Sequence, residues 1–164
     1  MSQSNHVIAS GPGKESRPVH LQPVFLSLAF LGGAIGTSLR YALTLIFPGS
    51  GSALGTILAI NVVGALFLGY VLEALARRGD DGGRRRIARV LIGTGILGGF
   101  TTYSTLATNV TGLLGSGHIW AGIGYAVLSV VAGVIASGAG ILMAARTVGP
   151  AAAAAELDEE ETPA

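Results

Sequence analysis

The sequence predicts an all-α membrane protein with four transmembrane helices, and three observations support this fold class. Half of the 164 residues are hydrophobic and only 12% are charged, a composition typical of proteins that lie in a lipid bilayer. Four apolar runs follow one another along the chain, each of about 20 residues or more, the length that crosses a hydrocarbon core. These runs also lack the polar stripe that a water-soluble four-helix bundle needs at every turn of its helices.

Composition divides the chain into two tails and a membrane domain. Residues 1–22 are polar and rich in Ser, Gly and Pro, and residues 148–164 join an alanine run to a block of acidic residues. Neither composition can bury a core, so both segments are predicted to be disordered tails. Residues 23–147 form the predicted four-helix domain, with spans at about 23–47, 53–76, 87–114 and 119–145.

Basic residues are distributed unevenly between the two sides of the predicted bundle. With four spans, both tails and loop 77–86 share one side, which holds nine of the ten Lys and Arg residues. Loops 48–52 and 115–118 contain none. The positive-inside rule therefore predicts that both termini lie in the cytoplasm.

Several function classes are excluded by what the chain lacks. It has no cysteine, so it can form neither a disulfide nor a thiolate site. Its histidines, His6, His20 and His118, lie at or beyond the membrane boundaries, where they cannot assemble a catalytic or metal cluster with the carboxylates. No span carries a carboxylate near its middle, which argues against a proton-coupled carrier. An enzyme and a nucleic-acid partner are not expected, and passive permeation of a solute remains.

Small residues recur at four-residue spacing in the predicted spans. Such faces let helix backbones approach closely in lipid, where packing drives association. Four short spans make a thin bundle, so we expect the protein to oligomerise in the membrane. The spaced residues are Gly32 and Gly36, Gly95 and Gly99, Ser129, Gly133 and Ser137, and Ala136 and Gly140.

Two ionisable residues lie within the predicted spans. Glu73 precedes Arg77 by one turn, a spacing that predicts an ion pair at the end of the second span. Arg40 lies near the end of the first span, where it could be an interfacial anchor or an attractor of anions. Both interpretations of Arg40 stay open on the sequence alone.

A cluster of hydroxyl side chains interrupts the third apolar run in the stretch "GGFTTYSTLATN", residues 98–109. The two glycines weaken the helix, and the hydroxyls can bond back to the preceding turn or project as donors. This pattern predicts a break near the middle of the third span, where freed carbonyls need a cation or a neighbour. Asn61, near the middle of the second span, either ties two helices together or offers donors to a small hydrated anion.

Three stretches in order, "GGAIGTSLRY" at 32–41, "GTILAINVVGALFLG" at 55–69 and "GTGILGGFTTYSTLATN" at 93–109, resemble the bacterial fluoride channels of the Fluc (CrcB) family. The resemblance implies a plasma-membrane channel that exports fluoride passively and so lowers cytoplasmic fluoride. It also implies an antiparallel, inverted dimer with two pores. The pore residues implied on this chain are Asn61, Tyr103, Ser104, Thr105, Leu106 and Arg40.

The same resemblance implies a structural sodium ion that is not transported. Backbone carbonyls of the broken third helix hold it in the family, and these would be the carbonyls of Gly98 and Thr101 here. The chain departs from the family at Tyr103 and Leu106, since the family typically has two phenylalanines at these positions.

Leu106 lacks a ring, and the arginine bias fixes one orientation in the membrane. Together these features predict an obligate heterodimer with a related second chain of opposite orientation, in preference to a homodimer. One alternative is a non-conducting or half-functional subunit of such a channel. Another is a small four-helix drug or cation exporter, although exporters of that type need a carboxylate in the first span and residues 23–47 contain none.

Overall fold

A computed structural model describes residues 22–47 and 53–149 of the chain. The two predicted tails lie outside the described residues, apart from Gln22, Val148 and Gly149. Every regular element in the described ranges is helical, in agreement with the predicted fold class. In chain order the elements are α1 (Pro23–Ile46), α2 (Ala53–Arg77), α3 (Gly83–Ala88), a π-helical segment (Arg89–Leu97), α4 (Gly98–Phe100), α5 (Tyr103–Gly115) and α6 (Ile119–Thr147).

The described part of the chain has four helical stretches that are long and apolar enough to cross a membrane. Helices α1, α2 and α6 are each a single stretch. The third stretch joins α3, the π-helical segment, α4 and α5, and it runs from Gly83 to Gly115. It begins before the predicted residue 87 because Gly82 is extended and the arginines that follow it already form a helical turn. The four-span prediction is therefore confirmed.

The bundle is built from two closely packed helix pairs. Helix α2 packs along α6, and α1 packs on the π-helical segment and α4. Helix α5 closes the arrangement by packing on α6 and, to a smaller extent, on α2. Helices α1 and α2 contact each other little, so a cavity of about 430 Å³ opens between them and is lined in part by Leu43, Phe47 and Phe100.

Glycines permit the close approach of α1 to the third span. A methyl group built on Gly32 would lie only 2.8 Å from the Cα atom of Gly95, and one built on Gly99 would lie 3.0 Å from the Cα atom of Gly33. A methyl group on Gly36 would collide with the carbonyl oxygen of Ile96. The predicted role of these glycines in helix packing is confirmed.

Glycines also permit the close approach of α2 to α6, with one difference from the prediction. A methyl group on Gly140 would overlap the carbonyl of Leu66, and one on Gly69 would overlap the main chain of Ser137. A methyl group on Gly133 would have no neighbouring atom within 4 Å among the described residues. Gly133 therefore takes no part in the packing of α6 on α2, and its place in a packing face stays a prediction.

The outer surface of the bundle is strongly apolar. Large side chains such as Phe30 and Trp120 are about four-fifths exposed, at 77% and 84%. In the described residues no large side chain is completely enclosed. The described chain thus buries little of its own apolar surface, as expected of a thin bundle whose outer face meets lipid or a second subunit.

Ion pairs order the arginine-rich end of the bundle. The guanidinium of Arg77 lies 2.7 Å from the Glu73 carboxylate, which confirms the pair predicted from the four-residue spacing. At the opposite end, the turn between α5 and α6 closes through Gly117, whose φ of 82° suits a residue without a side chain. The two ends of the bundle therefore differ sharply in charge.

Candidate functional site

The third span breaks at two consecutive threonines. Helix α4 ends at Phe100, and α5 begins at Tyr103. Between them Thr101 has φ −79° and ψ 155°, and Thr102 has φ −144° and ψ 117°, both extended conformations. The break predicted near the middle of this span is confirmed and lies at these two residues.

Thr102 starts the helix that follows the break. Its hydroxyl accepts a hydrogen bond from the main-chain N–H of Thr105 at 3.2 Å, the N-cap arrangement that threonine favours. The same hydroxyl lies 3.1 Å from the hydroxyls of Ser104 and Thr105. Thr102 is only 7% exposed, so these three hydroxyls form a polar cluster beside a largely apolar bundle.

Asn61 of α2 pairs with the main chain of the break. Its Nδ2 donates to the carbonyl oxygen of Thr102 at 3.0 Å, and its Oδ1 accepts from the N–H of Thr102 at 2.8 Å. Asn61 therefore supplies both partners that an unwound peptide needs at membrane depth. It ties α2 to the third span, one of the two roles left open by the sequence.

The break also removes the usual partners of several carbonyl groups. In an α-helix the carbonyl of Gly98 would accept from the N–H of Thr102, and that of Thr101 from the N–H of Thr105. Asn61 Oδ1 takes the first N–H and the Thr102 hydroxyl takes the second. The two carbonyls predicted to face a cation are thus among those that lose their helical donors.

Oxygen ligands of this kind suit a hard cation such as sodium. The described residues contain no cluster of three or more His, Asp or Glu side chains that could hold a metal ion. Two carbonyl groups make an incomplete ligand set, so a bound ion would need further oxygens. The donor chemistry at Gly98 and Thr101 fits a sodium ion, and its binding there stays a prediction.

Arg40 of α1 also reaches the break. Its Nε donates to the carbonyl oxygen of Gly99 at 3.3 Å, and the Thr37 hydroxyl donates to the same oxygen at 3.3 Å. The Arg40 side chain is half-buried and brings a fixed positive charge next to the unwound segment. Its predicted role as an attractor of anions stays a prediction, but the contact places it at the site.

The remaining hydroxyls of the stretch bond back to their own helices. The Thr101 hydroxyl donates to the Leu97 carbonyl oxygen at 3.0 Å, and the Thr108 hydroxyl donates to that of Ser104 at 3.0 Å. Both alternatives left open by the sequence therefore occur. Thr101 and Thr108 satisfy local carbonyls, whereas Thr102, Ser104 and Thr105 bond to one another.

Tyr103 and Leu106 differ in exposure although they are three residues apart. The Tyr103 ring is 81% exposed on the outer surface of α5, and Leu106 is 9% exposed. The Tyr103 ring therefore lies outside the polar cluster of Thr102, Ser104 and Thr105. Assignment of Tyr103, Ser104, Thr105 and Leu106 to an ion path stays a prediction.

Comparison with known proteins identifies the family. Residues 27–141 match the family model described as CrcB-like protein, camphor resistance (CrcB). This chain belongs to the CrcB-like family. The matched residues include the second and third spans with the break, and most of the first and fourth spans, so the fold and the family agree.

Several relatives of this CrcB-like chain carry functional names. A protein of Leifsonia xyli subsp. xyli named fluoride-specific ion channel FluC 2 is 44% identical over 132 residues, 80% of this chain and 91% of the relative. Fluoride-specific ion channel FluC 1 of Cutibacterium acnes is 46% identical over 116 residues, 70% of this chain and 80% of the relative. Fluoride-specific ion channel FluC of Deinococcus radiodurans is 39% identical, with 76% of this chain and 97% of the relative aligned.

Four apolar spans and membership of this family together make the CrcB-like chain a multi-pass plasma-membrane protein.

Polar residues on α6 were not among the site candidates predicted from the sequence. Ser129, only 8% exposed, donates to the Tyr125 carbonyl oxygen at 2.7 Å, and the Tyr125 hydroxyl donates to that of Leu54 at 3.1 Å. The four-residue spacing of Tyr125 and Ser129 on an apolar helix was the available signal, but Ser129 was interpreted only as a small packing residue.

Proposed function

We propose that this CrcB-like chain is a subunit of a fluoride-selective channel that lets fluoride leave the cytoplasm passively. The observation that carries the proposal is the similarity to relatives named fluoride-specific ion channels, at 39–46% identity across 70–80% of this chain. Passive export lowers cytoplasmic fluoride without a chemical reaction, so no catalytic residues are required.

The polar groups at the break are suited to a small, strongly hydrated anion. The Asn61 amide nitrogen has two N–H donors, and its bond to Thr102 uses one of them. The second N–H, with the hydroxyls of Ser104 and Thr105, can replace part of the water that surrounds fluoride. Neutral donors hold the ion weakly enough to release it, which conduction requires. Arg40 adds a positive charge that attracts the anion to this region.

Tyr103 supports a path that is completed between subunits. Its ring projects from the outer surface of α5 and is mostly exposed, so it is placed to contact a second subunit. The edge of an aromatic ring carries partial positive charge and can contribute to binding an anion. Leu106, one turn later, has no ring and cannot provide a second contact of this type.

We infer that the channel is an inverted dimer of this chain with a related second chain. The small buried core and the broad apolar surface support association in the membrane. The nine-to-none distribution of basic residues supports a single orientation with both termini in the cytoplasm. A chain with one orientation needs a partner of the opposite orientation to form an inverted pair.

Leu106 also supports the alternative that this subunit is non-conducting or half-functional on its own.

Fluoride efflux from liposomes tests the function. Purified chain is reconstituted alone and together with a four-span chain of opposite arginine bias from the same genome, and efflux is followed with a fluoride electrode. We expect the pair to release fluoride rapidly, and chloride-loaded liposomes provide the matched control.

The outcomes separate the two parts of the proposal. Rapid fluoride efflux from the chain alone would support the function and contradict the obligate heterodimer. Equal release of chloride and fluoride would contradict selectivity, and no release of either ion by chain or pair would contradict the channel function.

The carbonyls of Gly98 and Thr101 would hold a structural, untransported sodium ion together with the matching carbonyls of the second subunit. The ion would supply positive charge that compensates carbonyls without helical donors. We expect replacement of sodium on both sides by a large organic cation to reduce dimer recovery or fluoride flux several-fold. Size-exclusion chromatography and the liposome assay measure these effects, with potassium as a second comparison. Unchanged dimer recovery and flux would remove the sodium assignment.

A further inference from the structure

The end of α6 and the end of α2 lie on the same side of the bundle. The Tyr70 hydroxyl of α2 is 3.4 Å from that of Thr147, the last residue of α6. A cavity of about 360 Å³ at this end is lined by residues of both helices and of the π-helical segment, among them Glu73, Arg89 and Ser137. The arginine-rich loop after α2 and the chain after α6 therefore emerge at one end, whichever side of the membrane this is.

Positive charge is in excess at this end. Among the described residues, seven arginines at this end face three carboxylates, those of Glu73, Asp80 and Asp81, which leaves a surplus of four positive charges. We call this surface the arginine face. It consists of Arg77, Arg78, Arg84, Arg85, Arg86, Arg89 and Arg146.

Two of the three carboxylates at this end are already engaged by arginines of this face. Glu73 pairs with Arg77, and Asp81 lies 3.6 Å from Arg86 and 3.5 Å from Arg89. Within the described ranges, the exposed side chains of Arg78, Arg84 and Arg146 have no carboxylate within 4.0 Å. Three guanidinium groups are thus available to further anions.

We propose that the acidic segment 156–161 of the same chain docks on the arginine face. This segment, "ELDEEE", carries five carboxylates in six residues, which nearly matches the surplus of positive charge. Carboxylates and guanidinium groups form charge-assisted hydrogen bonds, often with two contacts per arginine. Neither the fluoride path nor the dimer uses this segment, so the docking is independent of the proposed function.

Chain length allows the contact. The end of α6 lies at the level of Tyr70, and Arg77, the last residue of α2, lies seven residues further along, which is about 10 Å at the helical rise. Residues 148–155 can span about 26 Å when extended. The first acidic residue can therefore reach from Thr147 to the level of Arg77 and the start of the loop after it.

The tether favours the segment over free anions. A short linker holds its ligand at an effective concentration of the order of millimolar, so weak individual contacts suffice for occupancy. These contacts are exposed, and salt should weaken them because the screening length falls to about 4 Å at 0.5 M. Strong salt dependence is the distinguishing property of the docked state.

Disulfide cross-linking tests the proposal, because the full-length chain has no cysteine of its own. Cysteines are introduced by Gly82→Cys and Leu157→Cys, which retain every arginine and every carboxylate. A Cβ atom at Gly82 meets no atom of the described residues within 4 Å. The matched control keeps both cysteines and replaces the five carboxylates of residues 156–161 by amides. Oxidation in neutral-lipid vesicles should give an intrachain disulfide at least about fivefold faster in the chain that keeps its carboxylates, and 0.5 M salt should remove most of the difference.

Four results would overturn the proposal. Equal rates with and without the five carboxylates would mean random encounter, and a rate that 0.5 M salt leaves unchanged would mean that ion pairs do not hold the segment. A product of dimer size would place the segment on another chain. Loss of the cross-link in phosphatidylglycerol vesicles at the low salt used for neutral vesicles would mean that anionic lipid occupies the arginine face instead.

Discussion

Replacing Asn61 with alanine is expected to reduce fluoride flux through the assembled channel by about tenfold or more. The substitution removes both hydrogen bonds to the main chain of Thr102, a residue that is only 7% exposed. Each unsatisfied buried group costs about 1–3 kcal/mol, and a shift of about 1.4 kcal/mol changes the ratio of the unwound conformation to a regular helix tenfold. Flux is measured in liposomes that hold equal amounts of assembled wild-type or variant channel.

Asn109→Ala is the matched control for this substitution. It removes the same amide group from α5, where Nδ2 of Asn109 is buried and has no hydrogen-bond partner in the described part of the chain. We expect its flux to stay within about twofold of wild type, since no bond is lost. If Asn61→Ala conducts as well as Asn109→Ala, the Asn61 amide supports neither the break nor the anion. Size-exclusion profiles show whether either variant has lost its fold.

Gly36→Ala is expected to destabilise the folded chain by about 2 kcal/mol or more, because overpacked positions typically cost 1–3 kcal/mol and here main-chain atoms must move. The new methyl group would collide with the Ile96 carbonyl and lie 2.8 Å from the Phe100 nitrogen. Helix α1 would then separate from the segment that precedes the break. The loss of stability is measured in detergent, as the fall in the temperature at which half of the protein stays monodisperse.

Gly33→Ala on the same helix provides the comparison. A Cβ atom at Gly33 meets no atom of the described residues within 4 Å, so the substitution adds no clash among them. Alanine also favours the helix over glycine by about 1 kcal/mol, so the stability should be unchanged or slightly higher. Equal losses for the two variants would show that the close approach at Gly36 does not limit packing.

The four spans and the break could be predicted from local features of the sequence. Apolar runs of sufficient length mark the spans, and the glycines and hydroxyls of residues 98–109 mark the weak point of the third. The position of the break within that stretch depends on Asn61, which lies 41 residues away along the chain. Nothing local identifies Thr102 as the residue that this amide would bind.

Two other features depend on packing and escaped prediction. The residues of the π-helical segment, Arg89–Leu97, carry no pattern that distinguishes a wide turn from an α-helix. The different exposures of Tyr103 and Leu106 were also hidden, since residues three apart usually share a helix face. Tyr103 is the first residue of α5 after the break. Its side chain lies on the exposed surface of α5 and not on the surface that packs on α6.

The bidentate pairing of Asn61 with Thr102 has a consequence for biogenesis. An isolated third span in lipid would leave the Thr102 peptide without partners, so it should insert as an uninterrupted helix. The second span precedes the third along the chain, so its amide is already in the membrane when the third span enters, and the helix can unwind once the two spans pack together. The break is therefore a product of helix packing, and a chain caught before that step would have a straight third helix.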